Sequence, residues 1–322
     1  MTTQGRILVT GALGQIGSEL VPALRARYGE DRVVAADIRM PPAGAGDGLF
    51  EHLDCTQLRQ IQDVVRRYRI ETIYHLAALL SAVAEDRPQV AWNVNLGGLY
   101  RVLEVARQYR CALFFPSSIG AFGPTTPRIA TPQDTIQRPT TIYGITKLTG
   151  ELLCDYYFRR FGVDTRGLRL PGIISYRTPP GGGTTDYAVD IFYHAIRYRH
   201  YTCFLRADTR LDMMYMPDAI RAMMMLMEAD AASLKHRNAF NVTAMSFTPS
   251  ELAAEIRKIV PDFVIDYEID PVRQEIADSW PQSLDDSAAR EEWGWLPHYD
   301  IARMTSDMLE KIRAKLQSAA SA

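Results

Sequence analysis

The chain predicts an α/β fold, a doubly wound parallel sheet with a smaller C-terminal α/β lobe. Three observations predict it. Short apolar runs alternate with amphipathic helical stretches through the first half, and a glycine-spaced turn joins the first run to the first helix. After Leu170 the alternation loosens, beginning with a Pro/Gly-rich stretch from Pro171 to Gly183.

Taken in order, Arg6-Ile-Leu-Val-Thr10 reads as a buried strand, followed by a helix from Gln15 to about Tyr28. Val33-Val-Ala-Ala36 is the next strand and ends at Asp37. A Pro/Gly-rich loop from Pro41 to Gly48 precedes a helix around Thr56 to Tyr68 and the strand Thr72-Ile-Tyr-His-Leu76. Pro88 to Tyr109 is helical, and Ala112-Leu-Phe-Phe115 is a further strand. Repeated β-α units of this kind place helices on both faces of a parallel sheet, with ligands at the carboxyl ends of its strands. Residues 1–170 are therefore assigned to a Rossmann-type domain. Residues 171–322 are assigned mainly to the second lobe, some segments returning to the sheet. The methionine-rich run from Met213 to Met227 reads as adaptable core packing. The Ser/Ala tail after Leu316 is expected to fray.

Composition excludes several classes. With 322 residues, 47% hydrophobic and 23% charged, the chain is an ordinary globular one. A net charge of −2 gives no electrostatic footprint for nucleic acid or an anionic membrane, and no apolar run is long enough to span a bilayer. Met1 to Arg6 is polar and leads straight into a strand, so no cleaved signal is expected. Cys55, Cys111, Cys154 and Cys203 are scattered, without metal-ligand spacing or a disulfide framework, and the six histidines are dispersed. Reduced thiols, a cytoplasmic location and no metal are the expectations.

Thr10-Gly-Ala-Leu-Gly-Gln-Ile-Gly17 lies between the first strand and the first helix, where a phosphate cradle must lie. Gly11 permits the tight turn, Gly14 lets a pyrophosphate approach the backbone, and Gly17 lets helix and strand pack closely. Leu13, Gln15 and Ile16 complete the cradle, and the helix N-terminus offers free N–H groups to the phosphates. Asp37, 20 residues after Gly17, ends the second strand. Its carboxylate can accept bonds from the adenosine ribose hydroxyls and would repel a 2′-phosphate. This favours NAD over NADP, with Ile38 beside the ribose. Arg39 argues the other way, since an arginine can neutralise that phosphate. In Leu53-Asp54-Cys55-Thr56, Asp54 either bonds the adenine amine, with Cys55 alongside, or serves as a helix N-cap or turn residue.

Tyr143-Gly-Ile-Thr-Lys147 puts a phenol and an ammonium one turn apart on one helix face. A free tyrosine has a pKa near 10; lowering it by roughly three units takes about 4 kcal/mol of differential stabilisation, which a lysine and a cationic nicotinamide can supply. Such a pair is a base able to take a proton from an alcohol. Ser117 and Ser118 lie upstream.

These features together resemble the extended short-chain dehydrogenase/reductase family, which includes nucleotide-sugar epimerases and dehydratases. The resemblance runs through the Gly11/Gly14/Gly17 loop, Asp37, Asp54, His75-Leu-Ala-Ala78, Asn95-Leu-Gly-Gly98 and Ser117-Ser118. It continues through Tyr143/Lys147 and Asp212 to Asp218, ending at Leu284 to Ser287 and Trp293-Gly-Trp295. It implies that Tyr143 is the acid/base, that Lys147 binds the nicotinamide ribose and lowers the tyrosine pKa, and that Ser118, with Ser117 second, bonds the reacting oxygen. Leu170, Pro171 and Gly172 would contact the nicotinamide. Leu76, Ala77, Ala78 and Asn95 would touch the cofactor or serve as packing.

Two departures narrow the family. Dehydratases carry an Asp-Glu pair after the catalytic threonine, where this chain has Ile119-Gly120, so elimination lacks its groups. Arg169-Leu-Pro-Gly-Ile-Ile174 lacks the asparagine by which epimerases hold a nucleotide phosphate. In their place, Tyr176-Arg-Thr-Pro-Pro-Gly-Gly-Gly-Thr-Thr-Asp186-Tyr187 resembles the segment of the short-chain-type L-threonine 3-dehydrogenases, as do Leu79-Leu-Ser81 and Ser279-Trp280-Pro281. The resemblance implies NAD-dependent oxidation of L-threonine at C3 to 2-amino-3-oxobutyrate. Leu80, Ser81, Ser117, Tyr143, Gly183, Thr184, Thr185 and Trp280 would then surround the substrate. Successive glycines can form a nest for a carboxylate, or simply a flexible loop between lobes. Trp280 either closes over the site or is packed. The rival readings are a nucleotide-sugar 4-epimerase and a non-catalytic NAD-binding sensor. The resemblance also implies a homodimer, paired through the Tyr143 helix and the helix before it.

Overall fold

The computed structural model describes residues 5–41, 48–179, 181 and 183–320. Most of the loop read between Pro41 and Gly48, and Pro180 and Gly182 of the glycine-rich segment, lie outside the described residues. In chain order the first half contains β1 (Arg6–Thr10), α1 (Gly17–Tyr28), β2 (Val33–Asp37), β3 (Phe50–His52), α2 (Leu58–Tyr68) and β4 (Ile70–His75). It continues with α3 (Ser81–Asp86), α4 (Pro88–Ala91), a π-helical stretch (Trp92–Gly97), α5 (Gly98–Tyr109), β5 (Ala112–Ser118), α6 (Ile142–Phe161) and β6 (Thr165–Leu170). The second half contains β7 (Gly172–Ile174), α7 (Tyr187–Arg197), β8 (His200–Cys203), β9 (Leu211–Tyr215), α8 (Met216–Glu228) and β10 (Phe240–Asn241). It ends with β11 (Met245–Phe247), α9 (Pro249–Arg257), β12 (Val264–Tyr267), α10 (Pro271–Ser279), α11 (Ser287–Trp293) and α12 (Ile301–Ala320).

Seven strands form the main sheet in the order β10-β6-β5-β4-β1-β2-β3, every pairing parallel. Its strands read as apolar runs because both faces are covered. Leu20, Leu24, Met223 and Trp295 pack on one face, and Ile61, Val65, Leu103 and Cys154 on the other. The order reverses between β1 and β4, which opens a crevice at their carboxyl ends. β10 joins this sheet from late in the chain. A second sheet, β11-β9-β7, and the β12-β8 pair bury a separate core that includes Phe192, Tyr215, Phe247 and Met308.

The strand read over Ala112–Phe115 runs on to Ser118 and so carries both serines to the crevice. The Pro88–Tyr109 helix is interrupted by the π-helical stretch that carries Asn95. Helix α12 continues through the Ser/Ala tail to Ala320, where fraying was expected. In the methionine-rich run, Met213, Met214, Met216 and Met223 are fully buried, as adaptable core packing requires. Buried Arg166 ties β6 to the end of α8 by donating to the carbonyls of Leu226 (2.7 Å) and Ala229 (2.8 Å). Among the described residues, no helix is long and apolar enough to cross a membrane.

Candidate active site

The turn after β1 is sterically fixed. Gly11 has φ +70°, and a Cβ there would lie 2.7 Å from the backbone nitrogen of Ala77. A Cβ on Gly17 would lie 2.4 Å from the Gly11 carbonyl oxygen, so helix and turn touch backbone to backbone. Asp37 is buried at the end of β2. It accepts bonds from the Leu13 N–H (3.0 Å) and the Arg39 N–H (3.0 Å), and Arg39 Nε approaches to 3.3 Å. Arg39 itself stays largely exposed and ion-paired with Asp37. A side-chain-free cradle at a helix N-terminus, with a carboxylate fixed at the next strand end, fits a dinucleotide carrying free ribose hydroxyls.

Helix α6 brings the base to this crevice. Thr141 caps it by accepting from the Gly144 N–H at 3.1 Å, and Glu85 of α3 accepts from the Ile142 N–H at 2.8 Å. Lys147 Nζ donates to the Pro116 carbonyl at 2.6 Å and lies 5.5 Å from the Tyr143 ring centroid. Burial pushes the Lys147 ammonium down to about 8, partly offset by the charge of Glu151. Burial also raises the Tyr143 phenol above its ordinary value, with the bond to Ser118 working the other way. The depression expected for Tyr143 is therefore not met by these groups: desolvation of the phenolate outweighs the bond to Ser118. His75 is pushed down to about 3 by burial and then by Lys147, so it stays neutral; its Nδ1 pairs with Thr10 Oγ1 at 2.8 Å.

The two serines separate. Ser118 Oγ accepts from the Gly120 N–H (3.1 Å) and meets the Tyr143 phenol, whereas Ser117 donates to buried Glu151. The two hydroxyls thus have different partners on α6 while both reach the crevice. Gly120 packs on the phenol ring. A Cβ there would lie 3.2 Å from Tyr143 Cδ1 and Cε1, so any side chain at this position would press on the phenol ring.

One cavity of about 260 Å³ joins these parts. The cradle residues Gly11, Gly14, Gln15, Ile16 and Gly17 line one end. Leu76, Ala78, Ser117, Ser118, Tyr143, Lys147, Leu170, Pro171 and Gly172 line the middle, and Leu80, Ser81, Gly183, Thr184, Thr185 and Trp280 the other end. Among the described residues the buried Thr184 hydroxyl has no hydrogen-bond partner. Trp280 is both buried in the second core and part of the cavity wall.

Several residues singled out from sequence stand off this wall. Asn95 instead grips the Leu79 backbone, accepting from its N–H at 2.7 Å and donating to its carbonyl at 3.1 Å. Asp54 accepts from the N–H and hydroxyl of Thr56 within the turn before α2, the turn alternative, while Gln57 stands at the N-cap of that helix. Leu13 contributes a backbone N–H to Asp37, Ile38 is exposed, and Cys55 and Ala77 pack behind the turn. The wall also contains Pro116, Ile119, Ile173 and Asp186, which sequence reasoning missed. Their only signal was adjacency to Ser117, Gly172 and Thr185.

A dinucleotide cradle facing half-buried Ser118 and Tyr143 and buried Lys147 defines a Rossmann-type oxidoreductase. Residues 7–243 match the NAD dependent epimerase/dehydratase family, and the chain belongs to it. NAD is its cofactor. An uncharacterized epimerase/dehydratase of Staphylococcus saprophyticus is 54% identical over 312 residues, covering 96% of this chain and 98% of its own length. Among solved structures, L-threonine dehydrogenase from Clostridium difficile is 56% identical with a TM-score of 0.95, covering 97% of this chain and 98% of that one. The holo form of a GalE-like L-threonine dehydrogenase from Cupriavidus necator is 52% identical with a TM-score of 0.93, covering 95% and 99%.

Proposed function

We propose that the protein oxidises L-threonine at C3 to 2-amino-3-oxobutyrate. The observation that carries this is the single cavity in which the cradle, the Tyr143/Lys147 pair and the unpartnered Thr184 hydroxyl meet. Its likeness to two L-threonine dehydrogenases above 50% identity supports the choice of alcohol.

In this reading Gly11, Leu13, Gly14, Gln15, Ile16 and Gly17 hold the pyrophosphate, and Asp37 takes the adenosine ribose. Lys147 holds the nicotinamide ribose, and Leu170 to Gly172 flank the ring. Bound NAD supplies a hydride acceptor and a positive charge near the phenol. That charge, with the one on Lys147, would counter the burial that raises the Tyr143 phenol. Tyr143 then takes the proton of the C3 hydroxyl while Ser118 orients that oxygen. Thr184, Thr185, Ser81 and the Gly183 backbone hold the amino-acid end, with Leu80 and Trp280 excluding water.

Trp92, Tyr100, Leu152, Tyr156 and Phe161 are exposed on the π-helical stretch, α5 and α6, which supports a homodimer through that face. Four unpaired cysteines, all buried, fit a reducing compartment such as the cytoplasm.

Replacing Tyr143 with Phe tests the chemistry. Threonine-dependent NADH formation is expected to fall by roughly two to four orders of magnitude while NAD affinity stays within about threefold. Retained turnover would sink the mechanism.

A further inference from the structure

Behind the cavity wall lies a buried charge pair that the proposed chemistry leaves unused. Glu151 stands one turn beyond Lys147 on α6 and is 3% exposed. Arg169 of β6 clamps its carboxylate, Nη2 to Oε2 at 2.8 Å and Nε to both oxygens at 3.1 Å. Gln137 adds a bond at 3.3 Å. Arg169 is fixed in turn by the Gln133 carbonyl (2.7 Å) and Asn241 Oδ1 (3.2 Å). The remaining partner of Glu151 is the Ser117 hydroxyl. Helix α6 therefore grips consecutive residues of β5 with two side chains, Lys147 on the Pro116 carbonyl and Glu151 on Ser117.

A hydroxyl has one proton. Ser117 gives its proton to Glu151, so toward the cavity it offers only lone pairs. We propose that Glu151, held by Arg169, is a positioning residue: it makes Ser117 an acceptor for a donor group on the substrate and gives Lys147 a fixed counter-charge. This rests on the Tyr143/Lys147 dehydrogenation reading. For L-threonine the fitting donor is its ammonium group.

The electrostatics of Lys147 agree with that geometry, since Glu151 draws up an ammonium that burial pushes down to about 8. The other groups around this pair are Tyr143 and, beyond Glu151, Cys154 and Asp155 on α6. Neutral His75 lies on β4, Arg169 on β6, and Asp186 on the glycine-rich loop. None of them other than Glu151 offers Lys147 an acidic partner on its own helix face one turn away.

The test uses the full-length protein with NAD and L-threonine, reading kcat and KM between about pH 6 and 10, with NAD affinity and melting measured in parallel. Glu151→Gln is expected to move the alkaline limb of kcat, on which Lys147 loses its proton, down by about one pH unit. Glu151→Asp keeps the charge but loses reach to Ser117. It is expected to leave the limb in place and raise the threonine KM about tenfold. Ser117→Ala, which keeps the Glu151–Arg169 pair, is expected to raise KM similarly, with kcat within about threefold. A purely structural Glu151 would lower melting temperature without moving the limb or separating KM from kcat, and that result overturns the proposal. If Glu151→Gln fails to fold, unchanged KM in both other variants overturns it equally. A wild-type protein that forms no NADH from threonine would instead defeat the parent reading, before any variant is made.

Discussion

The two ends of the cavity are built on different principles. At the cradle, Gly11 and Gly17 touch other backbone atoms so closely that no side chain fits, and Asp37 is held by three donors. At the far end, Thr184 presents a buried hydroxyl with no hydrogen-bond partner among the described residues. The first end is satisfied within the protein; the second holds a polar group open to a ligand. Cofactor recognition is thus written into sterics, and substrate recognition into an unmet hydrogen bond.

This contrast breaks most visibly at the cradle. Gly17→Ala places a Cβ 2.4 Å from the Gly11 oxygen and 2.7 Å from Ala12. Overpacking of this kind costs about 1–3 kcal/mol, so NAD affinity is expected to fall by roughly a hundredfold and melting temperature with it. Fluorescence titration with NAD checks the first and a melting curve the second.

Thr184→Val probes the other end and is expected to act in the opposite sense on stability. It removes a hydroxyl that pairs with nothing in the protein alone, so the melting temperature should hold or rise. The threonine KM should rise about tenfold, with NAD affinity unchanged. Unaltered steady-state constants would mean that the hydroxyl does not meet the substrate.

A third effect, on stability alone, lies away from both ends. Asp212 of β9 accepts from Thr243 Oγ1 at 2.6 Å and from the Leu284 N–H at 2.7 Å, tying the second sheet to the segment that follows Trp280. Burial pushes its carboxyl from 3.8 up to about 8. The folded protein therefore holds a proton here that the unfolded chain releases above about pH 4. The associated stability is fully present below that pH and is lost as the pH rises through about 8. Asp212→Asn cannot titrate, so the melting-temperature advantage of the wild type over it should shrink between about pH 5 and 9. A constant difference would place the proton elsewhere.

Much of the cradle end was legible in the sequence because backbone sterics leave a residue signature. Glycines at fixed spacing, apolar runs in doubly covered strands and an acid ending β2 all record geometry directly. Tyr143 and Lys147 were legible through helical spacing. What stayed hidden were relations between elements. Ser117 and Ser118 looked alike until β5 turned one toward Glu151 and the other toward Tyr143. Asn95 was read as a cofactor or packing residue, yet it braces Leu79, a contact that depends on where the π-helical stretch lies. Glu151 was not singled out from the sequence at all. Only the fold places Arg169 against it.

The central claim is that this cavity carries out net dehydrogenation of a hydroxy amino acid. Absorbance of NADH in a mixture of the purified protein, NAD and L-threonine tests it most directly. The account predicts steady accumulation of one NADH for each threonine consumed. No accumulation with threonine, together with interconversion of a nucleotide sugar without net change in NAD, would contradict it.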